Sequence, residues 1–142
     1  MPSVLFVCGR NAIRSPMAEA LWCLRYGEMA DARSCGVIPA AFVDPFTVAV
    51  MMEKDFDLSK VSPTALRGIG EPFPDVIISL SSAANQMALE YSNDTGAEFL
   101  TWPIPDPSET GGNRDQRIAA YRDTRESISA HIIEWENTRK SA

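Results

Sequence analysis

The chain has 142 residues, with 13 Lys and Arg against 19 Asp and Glu, for a formal charge of −6. That length suits a single domain over residues 1–142, and a composition 45% hydrophobic and 23% charged excludes wholesale disorder. The acidic balance argues against nucleic acid or an anionic membrane as partner, and no apolar run approaches the ~20 residues of a membrane span.

Val4-Leu5-Phe6-Val7 is a short β-rich run and reads as a buried strand. No basic segment precedes it and no small-residue cleavage site follows, so no signal peptide is expected. Over residues 15–26, Met17, Ala18, Leu21, Trp22 and Leu24 keep helical spacing, and Pro16 suits a first turn, where its missing N–H costs nothing. Residues 33–37 predict a second strand closed by Gly36. Asp44-Pro45 reads as an N-cap followed by proline, opening a helix through Thr47, Val48, Val50 and Met51 to residue 54. Residues 75–80, β-branched at Val76, Ile77 and Ile78, predict a third strand. Ser81 or Ser82 is expected to cap a helix over 83–91. Residues 98–102 predict a fourth strand, ended by Pro103 and Pro105. A long amphipathic helix over 112–136 follows, with Ile118, Tyr121, Ile128, Ile132 and Trp135 as its inner stripe.

Strand and helix alternate four times, the pattern of an α/β fold with a parallel sheet and helices on both faces, joined by right-handed crossovers. In such sheets the ligand crevice lies beyond the C-terminal strand ends. Chemistry is therefore expected just after Val7, Gly36, Leu80 and Trp102.

Cys8-Gly9-Arg10-Asn11-Ala12-Ile13-Arg14-Ser15 follows the first strand, so a cysteine and an arginine bracket five residues. A loop curling from a strand into a helix N-terminus points successive backbone N–H groups at one spot, a nest for a tetrahedral oxyanion. Arg14 is placed to close on two of its oxygens. The same positive field favours the thiolate of Cys8, which sits beneath the phosphorus as nucleophile. Ser15 adds a hydroxyl donor to that sulfur. Asp106, held between Pro105 and Pro107 at the same sheet edge, is a candidate general acid that later activates water; a turn-forming Asp-Pro is the alternative.

The remaining candidates carry less chemistry. Three cysteines without regular spacing make no disulfide framework, which points to a reducing, cytoplasmic setting. Cys23 reads as helix packing. Cys35, near the site edge, is a candidate redox partner of Cys8. One histidine, His131, and no Cys/His cluster leave no expected metal or cofactor, and His131 reads as solvated. Met51-Met52 reads as helix core. Phe42 and Phe46 read as core, with the pocket mouth as the alternative.

Cys-x5-Arg-Ser-Pro-Met-Ala-Glu over residues 8–19 resembles the low-molecular-weight protein tyrosine phosphatases and the arsenate reductases built on the same fold. The likeness extends to Ala32-Arg33-Ser34, Asp44-Pro45 and Pro105-Asp106-Pro107. It implies a four-stranded parallel sheet of order 2-1-3-4. It also implies Cys8 as the nucleophile forming a cysteinyl-phosphate, Arg14 on the phosphoryl oxygens and Asp106 as general acid, then base. Gly9, Arg10, Asn11, Ala12, Ile13 and Ser15 complete the substrate loop, with Asn11 tolerating a left-handed backbone. Three loop positions depart from the family: Arg10 stands in place of a usual glycine, Ala12 in place of a larger residue, and Ile13 in place of a frequent second cysteine. Ser108-Glu109 stand where the tyrosine phosphatases place aromatic residues.

The expected activity is phosphomonoester hydrolysis, with protein phosphotyrosine the first substrate class; phosphoarginine and small phosphoesters remain open. Arsenate reduction with an external thiol or thioredoxin is the alternative. Thiol-relay members of the family carry cysteines after the third strand, where this chain has Ser79, Ser81 and Ser82. A small acidic body without a long exposed apolar pattern is expected to be monomeric.

Overall fold

A computed structural model describes residues 1–141. Four parallel strands, β1 (Val4–Cys8), β2 (Ala32–Gly36), β3 (Val76–Ser79) and β4 (Glu98–Thr101), form one sheet in the order β2-β1-β3-β4. Four α-helices connect and cover them: α1 (Arg14–Tyr26), α2 (Pro45–Met52), α3 (Ser82–Thr95) and α4 (Arg114–Ser141). The expected α/β architecture and strand order are both present.

Side-chain parity along the buried strands divides the core in two. Val4, Phe6 and Cys8 of β1, with Val76 and Ile78 of β3, point into a large cluster under α1, α2 and α4. Leu5, Val7 and Ile77 point the other way, onto Ala84 and Ala88 of α3. The α4 stripe of Ile118, Tyr121, Ile128 and Ile132 is buried as expected, whereas Trp135 is half-buried against Trp22. Among the described residues, no helix is long and apolar enough to cross a membrane.

Several element ends differ from the sequence expectation. Strand β2 lies one residue earlier, because its ladder sets Val7 opposite Cys35 and Cys8 opposite Gly36. Helix α2 stops at Met52 and the chain turns through Asp55, whose φ is 60°. Helix α3 runs four residues past 91 to Thr95 and ends at Gly96, whose left-handed φ of 82° gives a C-cap. Gly112, at φ 103°, keeps α4 from starting before Arg114.

The strand order reverses at β1, so the crevice opens beyond the C-terminal ends of β1 and β3. The connections there are stitched together. Leu80 N–H donates to Val7 O at 2.8 Å, Trp102 N–H to Ser79 O at 2.9 Å and Ile104 N–H to Leu80 O at 3.4 Å. Through these bonds the segment leading to Asp106 is carried back over the end of β3.

Candidate active site

Between Cys8, the last residue of β1, and Arg14, the first of α1, residues 9–13 make the turn. Their carbonyl side is tied to the segment after β2. The N–H groups of Val37, Ile38, Ala40 and Asp44 donate to the oxygens of Cys8, Gly9, Arg10 and Ala12 at 3.1, 2.9, 2.8 and 3.0 Å. Among the described residues, the N–H groups of residues 9–13 donate to no backbone acceptor. Successive N–H groups left free beside tied carbonyls form an anion nest, and the α1 N-terminus adds its positive dipole end.

Asn11 braces this loop. It adopts the left-handed conformation, φ 53°, with its side chain buried. Its Nδ2 donates to Ser15 Oγ at 2.8 Å and Ser34 Oγ at 3.0 Å, and its Oδ1 accepts from Thr64 N–H at 2.8 Å. Ser15 Oγ lies 2.9 Å from Cys8 Sγ and 3.2 Å from Cys35 O. Ser15 accepts from Asn11, and its one proton can go to the Cys35 carbonyl or to the nearer sulfur. The loop also presses on Gly36, where a Cβ would lie 2.6 Å from Asn11 N and 2.7 Å from Arg10 C. Only glycine admits that approach.

Arg14 Nη1 donates to Ile104 O at 2.9 Å, which joins the loop to the Asp106 segment. Asp106 Oδ1 accepts from Ser108 N–H at 2.9 Å and Ser108 Oγ at 2.7 Å. With Oδ1 committed to two donors, Oδ2 is the oxygen that can carry a proton. Arg14 and Asp106 border one cleft of about 540 Å³, also lined by Ser81, Ser82, Ala83 and Glu109. The Asp44 carboxylate accepts from Phe46 N–H and, at 3.1 Å, from Tyr121 O–H; burial and then the Asp44 charge push the Tyr121 hydroxyl pKa up.

The structure brings together Cys8, Asn11 and Ser15 through hydrogen bonds, and sets Arg14 and Asp106 on the same cleft. Gly9 and Arg10 contribute backbone, and the Arg10 side chain is exposed. Ala12 is buried and Ile13 packs against the main core. Cys35 is not brought to the site: its side chain lies in the cluster on the opposite face of the sheet from Cys8, and burial pushes its thiol pKa far up. His131 is half-buried, its Nδ1 2.9 Å from Ser127 O and its ring against Trp102, not solvated as expected. Met52 and Phe42 are exposed rather than core, and Ser81 occupies the α3 N-cap position without capping. Half-buried Phe46 stacks on Tyr121, with the Arg117 guanidinium 4.9 Å above its ring. Gly36 and Thr64 were missed as loop supports; their roles depend on a close approach that no local pattern encodes.

Residues 3–141 match the family model described as low molecular weight phosphotyrosine protein phosphatase. The chain belongs to this family. It is 29% identical over 133 residues to the glutaredoxin arsenate reductase of Synechocystis sp., covering 93% of this chain and 94% of that protein. It is 28% identical over 138 residues to an arsenate reductase of Halalkalibacterium halodurans, covering 96% of each. A solved arsenate reductase in the phosphate-binding state superimposes with a TM-score of 0.78 at 26% identity, over 95% of this chain and 96% of that one. The family model is named for phosphatases, whereas these similar proteins are named arsenate reductases, and the chain is a member of an enzyme family.

Proposed function

We propose that this low molecular weight phosphatase homologue hydrolyses phosphomonoesters through a cysteinyl-phosphate. The Cys8 thiolate attacks phosphorus in line while the nest and Arg14 hold the three non-bridging oxygens. Asp106 gives its Oδ2 proton to the departing alcohol oxygen. Water, deprotonated by Asp106, then attacks the same phosphorus, and the Cys8 thiolate leaves with help from the Ser15 hydroxyl. Protein phosphotyrosine is the first substrate class to test.

The observation that carries this reading is the chemistry of the cleft wall. Ser81 and Ser82 line the cleft just beyond β3, and Cys35 lies in the core cluster on the opposite face of the sheet from Cys8, so no second cysteine is placed beside Cys8 among the described residues. Hydrolysis needs only water at the second step. Arsenate reduction needs a second thiol to take arsenite off the sulfur, and here that thiol has to come from outside. The names of the relatives favour this second reading. Both are tested by releasing phosphate from an aryl phosphate and, in parallel, reducing arsenate with glutathione or thioredoxin as donor. Hydrolysis lost in Cys8→Ser, without arsenate turnover, is expected. Arsenate turnover without hydrolysis would move the protein to the reductases.

A further inference from the structure

We propose that Arg114 and Arg117, at the start of α4, receive carboxylates of a phosphoprotein substrate, so that sites with Asp or Glu within about three residues of the phosphorylated one are preferred. The inference deepens the reading of residues 8–15 as a phosphoryl site and rests on it. It makes the preferred substrate an acidic phosphopeptide, despite the chain's own charge of −6.

Two guanidinium groups share one aromatic ring: Arg117 lies 4.9 Å and Arg114 5.7 Å from the centre of the Phe46 ring. Both arginines are exposed, and among the described residues neither side chain makes an ion pair or a hydrogen bond. Further along the same helix, Arg122 and Arg125 both reach Glu53. An unpaired pair within the first four residues of α4 sets two cations beside each other and at the positive end of the dipole. The helix start is otherwise well made, since Asn113 and Gln116 exchange side-chain-to-backbone bonds at 2.8 and 2.9 Å. Nearby carboxylates are engaged elsewhere. Asp44 accepts from Phe46 N–H and Tyr121 O–H, Asp106 Oδ1 accepts from Ser108, and Asp115 pairs with neither arginine. Two planar forks held on a ring and left without an anion are pre-oriented for carboxylates from outside the chain.

The pair is linked to the phosphate loop through α2. Asp44 N–H donates to Ala12 O at 3.0 Å, and Phe46 follows two residues later. Its ring stacks on Tyr121, whose hydroxyl lies within reach of the charges of both Asp106 and Arg117. The Arg10 carbonyl accepts from Ala40 N–H, and the exposed Phe42 lies between these two ties. Arg10, itself exposed and unpaired among the described residues, begins a basic and aromatic strip that continues through Phe42 and Phe46 to α4. Neither Arg114 nor Arg117 lines the cleft that holds Asp106 and Glu109, so substrate carboxylates are received outside it.

The test compares kcat/KM on two phosphotyrosine peptides of equal length, one with Glu and one with Gln at the three positions on each side. Wild type is expected to favour the Glu peptide about fivefold, through a lower KM, as for two exposed charge pairs, and to lose most of that preference in about 0.5 M salt. Arg114→Gln with Arg117→Gln should bring the ratio below about twofold, and Arg114→Glu with Arg117→Glu should reverse it. Arg139→Gln with Lys140→Gln removes the same charge roughly 33–39 Å further along α4 and should leave the ratio as in wild type. Each ratio is taken within one protein, so any loss of folded fraction cancels. No Glu preference in wild type, a preference that survives Arg114→Gln with Arg117→Gln, or one that falls equally in the far-end variant would overturn the acidic-substrate surface while leaving the phosphate loop intact. Turnover of an aryl phosphate but of neither peptide would do the same. Failure to hydrolyse all three would instead remove the phosphoryl reading, and this inference with it.

Discussion

Gly36→Ala tests how closely the phosphate loop is built against the sheet. The glycine is required for space, since an alanine Cβ would meet Asn11 N at 2.6 Å and Arg10 C at 2.7 Å. Both are backbone atoms, so no side chain can swing aside. Ordinary contact begins near 3.4 Å, which asks for a displacement of roughly 0.8 Å. Neither partner yields readily. Gly36 is held by the ladder opposite Cys8 and by its N–H to Thr64 O at 2.8 Å, and the loop by Val37 N–H to Cys8 O at 3.1 Å. Overpacking of this kind costs about 1–3 kcal/mol, which lowers the melting temperature of a chain this size by roughly 3–10 °C. A misplacement near 1 Å at a reacting centre costs on the order of 100-fold in rate. The expected result is a kcat/KM on aryl phosphate and a phosphate affinity both far down, with a fold that melts cooperatively a few degrees lower. Gly111→Ala, where an added Cβ meets nothing within 4 Å, is the control. Activity within about twofold of wild type in Gly36→Ala, at an unchanged melting temperature, would refute the argument.

Asp106→Ala should slow alkyl phosphates much more than aryl phosphates with good leaving groups, because proton donation matters most where the alkoxide is poor; equal losses would make Asp106 a loop residue only. Saturating phosphate, at about 100 times its Kd, should stabilise wild type by about 2.7 kcal/mol, read as a rise of several degrees in melting temperature, and Arg14→Ala should abolish most of that rise. Glu53 accepts from Arg122 and Arg125, and those bonds hold its carboxyl down to about 2 from an ordinary 4.5. A carboxyl lowered in the folded state stabilises above its unfolded pKa and loses that contribution as pH falls through the folded one. Glu53→Gln should therefore melt lower than wild type at pH 7, with the gap closing between pH 4.5 and 2; a gap independent of pH would assign the effect to packing.

The elements nearest the site were the most legible. The run from Val4 to Val7 is apolar and β-rich throughout, and Met17, Ala18, Leu21 and Trp22 repeat on one helical face, so β1, the turn and α1 stand out locally. Asn11 was legible because its residue type suits the left-handed backbone that it adopts. What was hidden depends on register. Cys35 faces away from Cys8 because the ladder pairs it with Val7, and a one-residue shift reverses every side chain of a strand. Residues 92–95, Ser-Asn-Asp-Thr, are polar enough to read as loop, yet Ser92 is buried and donates to Ala97 O, which lengthens α3. His131 sits beside the inner stripe of α4 and is sheltered by Trp102, which arrives from another part of the chain.

The start of α1 shows why site and stability are set against each other here. A well-made helix N-terminus has a capping side chain and an acidic first turn. Here the N-cap residue is Ile13, which cannot cap, the first turn holds no acid, and its first residue is Arg14, a cation at the positive end of the dipole. The turn before it leaves further N–H groups without backbone acceptors. Each feature is unfavourable for the helix end by itself, and an oxyanion above Cys8, as in the proposed mechanism, would relieve all of them. The hydrogen bonds that hold this arrangement, between Asn11 and Ser34, Asn11 and Thr64, and Arg14 and Ile104, involve three distant segments. A frustrated helix end can be kept rigid only by such distant braces. Cys8, Arg14 and Ser15 are therefore local in sequence, while Asp106 and the residues that brace the loop are not.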